Sequence, residues 1–125
     1  MSNLNDAKAE AKRRGVGSYE RHILLCIGPD CCSEKEGAAA WAHLKKRVAQ
    51  LNGSGDAGRI YRTKVGCLRV CKDGPVAVVY PEGTWYAGLT PKNLDRVIDN
   101  DLAEGEVVAE LRIGSNPLGG AVPKE

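Results

Sequence analysis

Five cysteines are the residues of this chain most able to do chemistry, and they occupy two places: Cys26, Cys31 and Cys32 in one stretch, Cys67 and Cys71 in another. Four residues separate Cys26 from Cys31, five separate it from Cys32, and three lie between Cys67 and Cys71. Free cysteine is often a core filler, but these side chains stand at loop ends among Gly, Asp and Lys, which suits packing poorly. A redox-active disulfide pair at a strand–helix junction needs two intervening residues, a spacing neither group has. The neighbours Cys31 and Cys32 would strain a disulfide between themselves. Two converging thiolate pairs are suited to a tetrahedral zinc ion or to an iron–sulfur cluster, and the spacings alone admit both.

Both cysteine groups follow strand-like segments. Arg21–Ile27 is a short apolar run with no helical period, closed by Gly28-Pro29-Asp30, as expected of a buried central strand. Ser33 and Glu36 have the spacing of a capping box, so a helix is expected from there. Trp41, Leu44, Val48 and Leu51 form its apolar stripe. Asn52–Gly58 ends it in a flexible, glycine-rich loop. Arg59–Val65 alternates like a half-buried strand near a sheet edge, and Gly66 opens the second cysteine loop. Pro75–Tyr80 reads as another buried strand, and Trp85–Gly88 pairs back on it as a hairpin. Thr90 and Pro91 start a second helix with the stripe Leu94, Val97, Ile98, Leu102.

The first two strands flank a helix of crossover length and should be parallel, whereas the last two form an antiparallel hairpin. The expected fold is therefore α/β and thioredoxin-like, a small mixed four-stranded sheet with two main helices. Residues 1–19 read as a flexible or weakly helical N-terminal tail, 20–115 as the domain and 116–125 as a flexible C-terminal tail, although Val107–Ile113 contains an alternating piece.

Composition narrows the function classes. A net charge of +2 with interspersed signs over 125 residues gives no reason to expect nucleic-acid binding. No apolar run approaches the length of a membrane span, and Met1–Gly17 has no secretory core. A cytoplasmic location is expected, where five cysteines indicate metal or redox chemistry rather than a disulfide framework. No phosphate loop, nucleophile-elbow serine or Rossmann glycine pattern is present, so no enzyme activity is expected. His22 and His43 are read as structural or surface residues, and Trp85 and Tyr86 as hairpin packing.

Cys26 with Cys31 or Cys32, followed by Gly66-Cys67-Leu68-Arg69-Val70-Cys71-Lys72-Asp73-Gly74-Pro75 and Tyr80-Pro81-Glu82-Gly83-Thr84-Trp85-Tyr86, resembles the thioredoxin-like 2Fe-2S ferredoxins. These are similar to the small iron–sulfur subunit of respiratory complex I and its counterparts in hydrogenases and formate dehydrogenases. The resemblance covers about residues 20 to 115. It implies a single 2Fe-2S cluster on four cysteines, one-electron transfer to redox partner proteins, and a homodimer, to which the Tyr80–Gly88 hairpin could offer apolar surface. The readings kept beside it are a zinc-stabilised interaction module and a cluster-bearing subunit of a larger NADH- or hydrogen-oxidising complex.

Carried over residue by residue, the resemblance makes Cys26, Cys67 and Cys71 ligands and leaves the fourth between two neighbours. The usual spacing in the complex I subunit favours Cys31, but that loop varies in length. The family usually has a glycine four residues after its second cysteine, with apolar helix positions following. Matching those positions to Trp41 and Leu44 without a gap selects Cys32, although Glu36 then takes the glycine's place. Aligning Gly37 with that glycine needs a one-residue insertion after Cys32 or a two-residue insertion after Cys31. The expected ligand set is therefore Cys26, Cys32, Cys67 and Cys71. Arg69 and Lys72 would raise the reduction potential or meet an acidic partner, unless they are simply solvated loop charges, and Leu68 and Val70 would shield the sulfurs, unless they simply pack the loop.

Overall fold

In the computed structural model, residues 3–53 and 58–119 are described. The apolar run of the first strand, β1 (Arg21–Cys26), lies at the centre of a sheet whose order is β2-β1-β3-β4-β5. It pairs in parallel with β2 (Ile60–Val65) and antiparallel with β3 (Val76–Tyr80), and β3 continues into the hairpin strand β4 (Thr84–Tyr86). The expected directions are all present.

The sheet has five strands rather than the expected four. Arg112–Ser115 forms β5, antiparallel to β4 on the edge opposite β2. Its side chains are exposed apart from a half-buried glycine, so no hydrophobic alternation marks it. Backbone pairing makes the strand.

Residues Glu34–Asn52 form α2, entered through the expected capping box: the Ser33 hydroxyl accepts from the Glu36 N–H at 3.0 Å, and the Glu36 carboxylate accepts from the Ser33 N–H at 2.9 Å. Its buried stripe is Gly37, Ala40, Leu44 and Val48, with Trp41 and Leu51 half-buried at the sides. Small residues lead the stripe because the helix comes very close to β1, and a Cβ on Gly37 would stand 2.4 Å from the Ile27 carbonyl oxygen. The second core helix, α3 (Pro91–Val97), is capped by Thr90 and continues as a π-helical turn, Ile98–Leu102. Its expected stripe is buried throughout.

Both helices pack on one face of the sheet. Ile23, Leu25, Ala77, Val79 and Tyr86 meet Leu44, Val48, Leu94, Val97 and Leu102 there. Tyr86 also donates to the buried Asp101 carboxylate at 2.5 Å and accepts from the Val108 N–H at 3.2 Å. Arg21 reaches the same carboxylate at 3.3 Å while pairing with Glu82. Burial first, and then the shared hydrogen bond, holds the Tyr86 hydroxyl protonated to higher pH than usual, and burial raises Asp101 as well.

The N-terminal segment is helical over Asn5–Arg13 (α1), with no buried residue. Local ion pairs from Glu10 to Arg13 and Arg14, at 2.7 and 2.6 Å, accompany it. Asn116 donates to the Gly83 carbonyl at 2.7 Å, so the start of the expected C-terminal tail rests on the β3–β4 turn. Most of the glycine-rich loop expected before β2 (54–57) and the end of that tail (120–125) lie outside the described residues.

Replacing Tyr86 with Phe leaves Asp101 and the Val108 N–H short of a partner in a buried setting. The expected cost is about 1–3 kcal/mol, readable by denaturant unfolding of wild type and variant under identical loading.

Candidate metal centre

Because β1 and β2 run in parallel, both cysteine loops leave the same edge of the sheet, the edge that commonly binds ligands in open α/β sheets. Cys26 ends β1 and stands in register with Val65, the last residue of β2, and with Val76, the first of β3. The Ile27 N–H donates to the Val65 carbonyl at 3.1 Å, and the Gly74 N–H donates to the Cys31 carbonyl at 2.9 Å. These two bonds hold the loops side by side. Only glycine fits the second contact, since a Cβ on Gly74 would lie 2.3 Å from the Cys31 oxygen. The second loop turns through Arg69 and Asp73, both in the left-handed region at φ 72° and 54°. The Gly74–Pro75 peptide bond that follows is cis, an isomer the sequence does not reveal.

The first loop brings its sulfurs together. Cys26 Sγ and Cys31 Sγ are 2.9 Å apart, and Cys31 Sγ lies 3.8 Å from Cys32 Sγ. All three side chains are buried, at 3%, 8% and 8% exposure respectively. They share an apolar cluster with Val76, and half-buried Val65, Leu68, Val70, Trp85 and Ala87 pack against it. Leu68 and Val70 thus pack against the cluster that holds the first-loop cysteines. Trp85 and Ala87 were not anticipated as part of this lining, though strand alternation places Trp85 on the sheet face of Cys26.

Cys67 and Cys71 are exposed on the second loop. Desolvation first, and then hydrogen bonding with the Cys67 thiol, raises Cys71, and the nearby Asp30 carboxylate adds to the shift. The Arg69 N–H points at Cys67 Sγ from 3.2 Å, the kind of backbone donor that stabilises a ligating thiolate. Among the described residues no group of three or more His, Cys, Asp or Glu converges as a single-ion site. The arrangement is instead a buried set of three thiols facing an exposed pair.

Burial dominates the thiol chemistry of the first loop. It pushes Cys31 up to about 12, with hydrogen bonding to Cys26 adding to the shift, and it raises Cys32 as well. Thiolates there need a compensating cation, which a metal centre supplies as it binds and releases the protons. The N-terminus of α2 directly after Cys32 offers a weaker compensation, reduced by Glu34 and Glu36 in its first turn. The histidines are engaged elsewhere: His22 contacts Thr63 at 2.8 Å, and His43 contacts Asp95 at 2.6 Å.

No protein-family model matches the chain. A putative 2Fe-2S ferredoxin of Priestia megaterium is 40% identical over 90 residues, covering 72% of this chain and 67% of that protein. A 2Fe-2S ferredoxin of Clostridium pasteurianum is 33% identical over 101 residues, covering 75% of this chain and 96% of that one. The 1.5 Å crystal structure of the thioredoxin-like 2Fe-2S ferredoxin of Aquifex aeolicus superposes with a TM-score of 0.64 at 26% identity, over 78% of this chain and 99% of that one. A second structure of that ferredoxin gives 0.63 at 27% identity, over 84% and 100%. The chain belongs to the thioredoxin-like 2Fe-2S ferredoxins.

The tie between the loops has a direct test. Gly74→Ala sets a methyl against the Cys31 backbone and should lower bound iron per chain severalfold. Gly66→Ala, on the same loop with nothing within 4 Å of the added carbon, should leave iron content near wild type in the same assay.

Proposed function

We propose that this protein is a one-electron carrier whose 2Fe-2S cluster is held at the sheet edge by Cys26, Cys67, Cys71 and one of the adjacent pair Cys31 and Cys32, with residues 20–115 as the cluster-binding domain. The observation that carries this reading is the convergence of two cysteine loops on one sheet edge in a chain of this family. The donor set suits the group: two thiolates from each loop can serve two irons. A bound cluster supplies one-electron chemistry. The chain holds it, with Leu68, Val70, Val76 and Trp85 limiting water and the Arg69 N–H donating to Cys67. In this reading the protein carries electrons between partner proteins rather than turning over a substrate, which the ferredoxin names of its relatives support. No described helix is long and apolar enough to cross a membrane, and the free thiols among the described residues suit a reducing compartment such as the cytoplasm.

For the fourth ligand, helix register favours Cys32 and sulfur geometry favours Cys31. Gly37, the glycine that packs against Ile27, is five residues beyond Cys32 and six beyond Cys31, so either choice departs from the family spacing. The 2.9 Å approach of Cys31 to Cys26 is read at the site itself, and we give it the greater weight. A homodimer is also part of this reading. The sheet face turned away from α2 and α3 carries partly exposed Leu24, Val65, Tyr80 and Trp85, and a second copy covering it would double the solution mass from 13.4 kDa.

Anaerobically purified protein should be red-brown and contain about two irons and two acid-labile sulfides per chain. Cys26→Ser, Cys67→Ser and Cys71→Ser should each lose or greatly alter the visible spectrum. Cys31→Ser is expected to do the same while Cys32→Ser retains it, and the reverse pattern transfers the role to Cys32. A colourless protein with one zinc per chain contradicts the carrier reading.

A further inference from the structure

The cations of this chain are unevenly partnered. Arg21, Arg47, Arg59 and Arg96 each pair with a carboxylate, whereas Lys45, Arg62 and Lys64 are among the cations that form no ion pair among the described residues. These three gather on one ring. Arg62 lies 5.1 Å from the Trp41 centroid, Lys45 5.8 Å and Lys64 5.9 Å. Trp41 is half-buried on the side of α2, and Arg62 and Lys64 are exposed on the edge strand β2. Cation–π attraction holds the charges in place, but three like charges around one ring repel one another, and none of the three has a described carboxylate within ion-pair distance.

The patch lies beside the redox site. Lys64 precedes Val65, the last residue of β2, and is three residues from Cys67, a span of at most about 11 Å along the chain. The carboxylates near the thiols, Asp30 acting on Cys71 and Glu36 on Cys32, belong to the first loop and the start of α2. Toward the first loop the charges are Asp30, Glu34 and Glu36 against Lys35, and toward β2 they are Arg62, Lys64, Arg69 and Lys72 against Asp73, so a partner approaching the second loop meets the more basic side.

Resting on the electron-carrier reading above, we propose that Lys45, Arg62 and Lys64, gathered on Trp41 beside the second cysteine loop, form the docking surface for an acidic electron-transfer protein. Complementary carboxylates on that partner relieve the like-charge crowding and orient the cysteine loop toward its redox centre. Whole-molecule charge contributes little to this steering. In the reduced protein the formal +2 of the chain meets the roughly three negative charges of a reduced cluster with four thiolates, a net charge of about −1 that does not attract an acidic partner, so attraction that weakens with salt reports the local patch.

The test is stopped-flow transfer of one electron from reduced, cluster-loaded protein to the flavin of an acidic flavodoxin, at low and high ionic strength. Arg62→Glu/Lys64→Glu is compared with Lys8→Glu/Lys12→Glu, which makes the same charge change on exposed α1. At low ionic strength the β2 variant should be slower by about tenfold or more, with the deficit vanishing in high salt, and the α1 variant should stay within about twofold of wild type. Transfer to basic cytochrome c should not be slowed in either variant. If the β2 double variant fails to load a cluster, Lys45→Glu makes the same comparison, with an expected loss of about threefold. Equal slowing by the β2 and α1 changes, or no slowing by either, in protein with a normal visible spectrum overturns the docking surface alone. A wild-type protein without a cluster spectrum overturns the carrier reading and the docking surface together.

Discussion

A backbone hydrogen bond from the Gly74 N–H to the Cys31 carbonyl at 2.9 Å ties together the two loops that carry the five cysteines of this protein. It forms because parallel pairing of β1 and β2 delivers both loops to one sheet edge, and because position 74 has no side chain to oppose the approach. The neighbouring elements support the same contact. The Ile27 N–H extends the β1–β2 ladder by one bond, and Gly37 lets α2 press against Ile27. Loop position is thus set by the sheet and the first helix, whose long-range pairing is more rigid than a free loop.

The sheet also separates stability from chemistry. Alternate residues of β1 point to opposite faces, so Ile23 and Leu25 enter the helix-covered core while Cys26 joins the small cluster around the thiols. The Tyr86–Asp101–Arg21 network ties the hairpin and the π-helical turn to the start of β1, at the far end of that strand from Cys26. Substitutions in the sulfur lining can therefore alter the metal centre without removing the main core. The buried thiols work in the opposite direction: neutral thiols are favoured there until a metal centre compensates the thiolate charge, which couples loading to proton release.

Much of this was legible in the sequence because local rules and tertiary packing agree. The Ser33–Glu36 box, the Thr90-Pro91 start and the apolar run of β1 each have short-range causes, and each appears where expected. The elements read only faintly have weaker signals. β5 is held by backbone pairing with exposed side chains and overlaps the alternating piece Val107–Ile113 only at its first two residues, and α1, expected as no more than a weakly helical tail, has no buried residue. At the site, the positions of Cys67 and Cys71 followed from motif and strand order, whereas the contribution of Trp85 needed the register of the hairpin. The choice between Cys31 and Cys32 turns on loop conformation, which residue types leave open. The ring of cations on Trp41 likewise joins residues about twenty positions apart, Trp41 and Arg62, whose contact exists only once α2 lies against β2.

The claim on which the whole account stands is that the two cysteine loops together hold one redox-active binuclear cluster. Paramagnetic resonance of the dithionite-reduced protein measures this most directly. The account predicts a rhombic signal that integrates to about one unpaired electron per chain and is absent from the oxidised form. A protein that remains silent in both states, with zinc accounting for its metal, would contradict it.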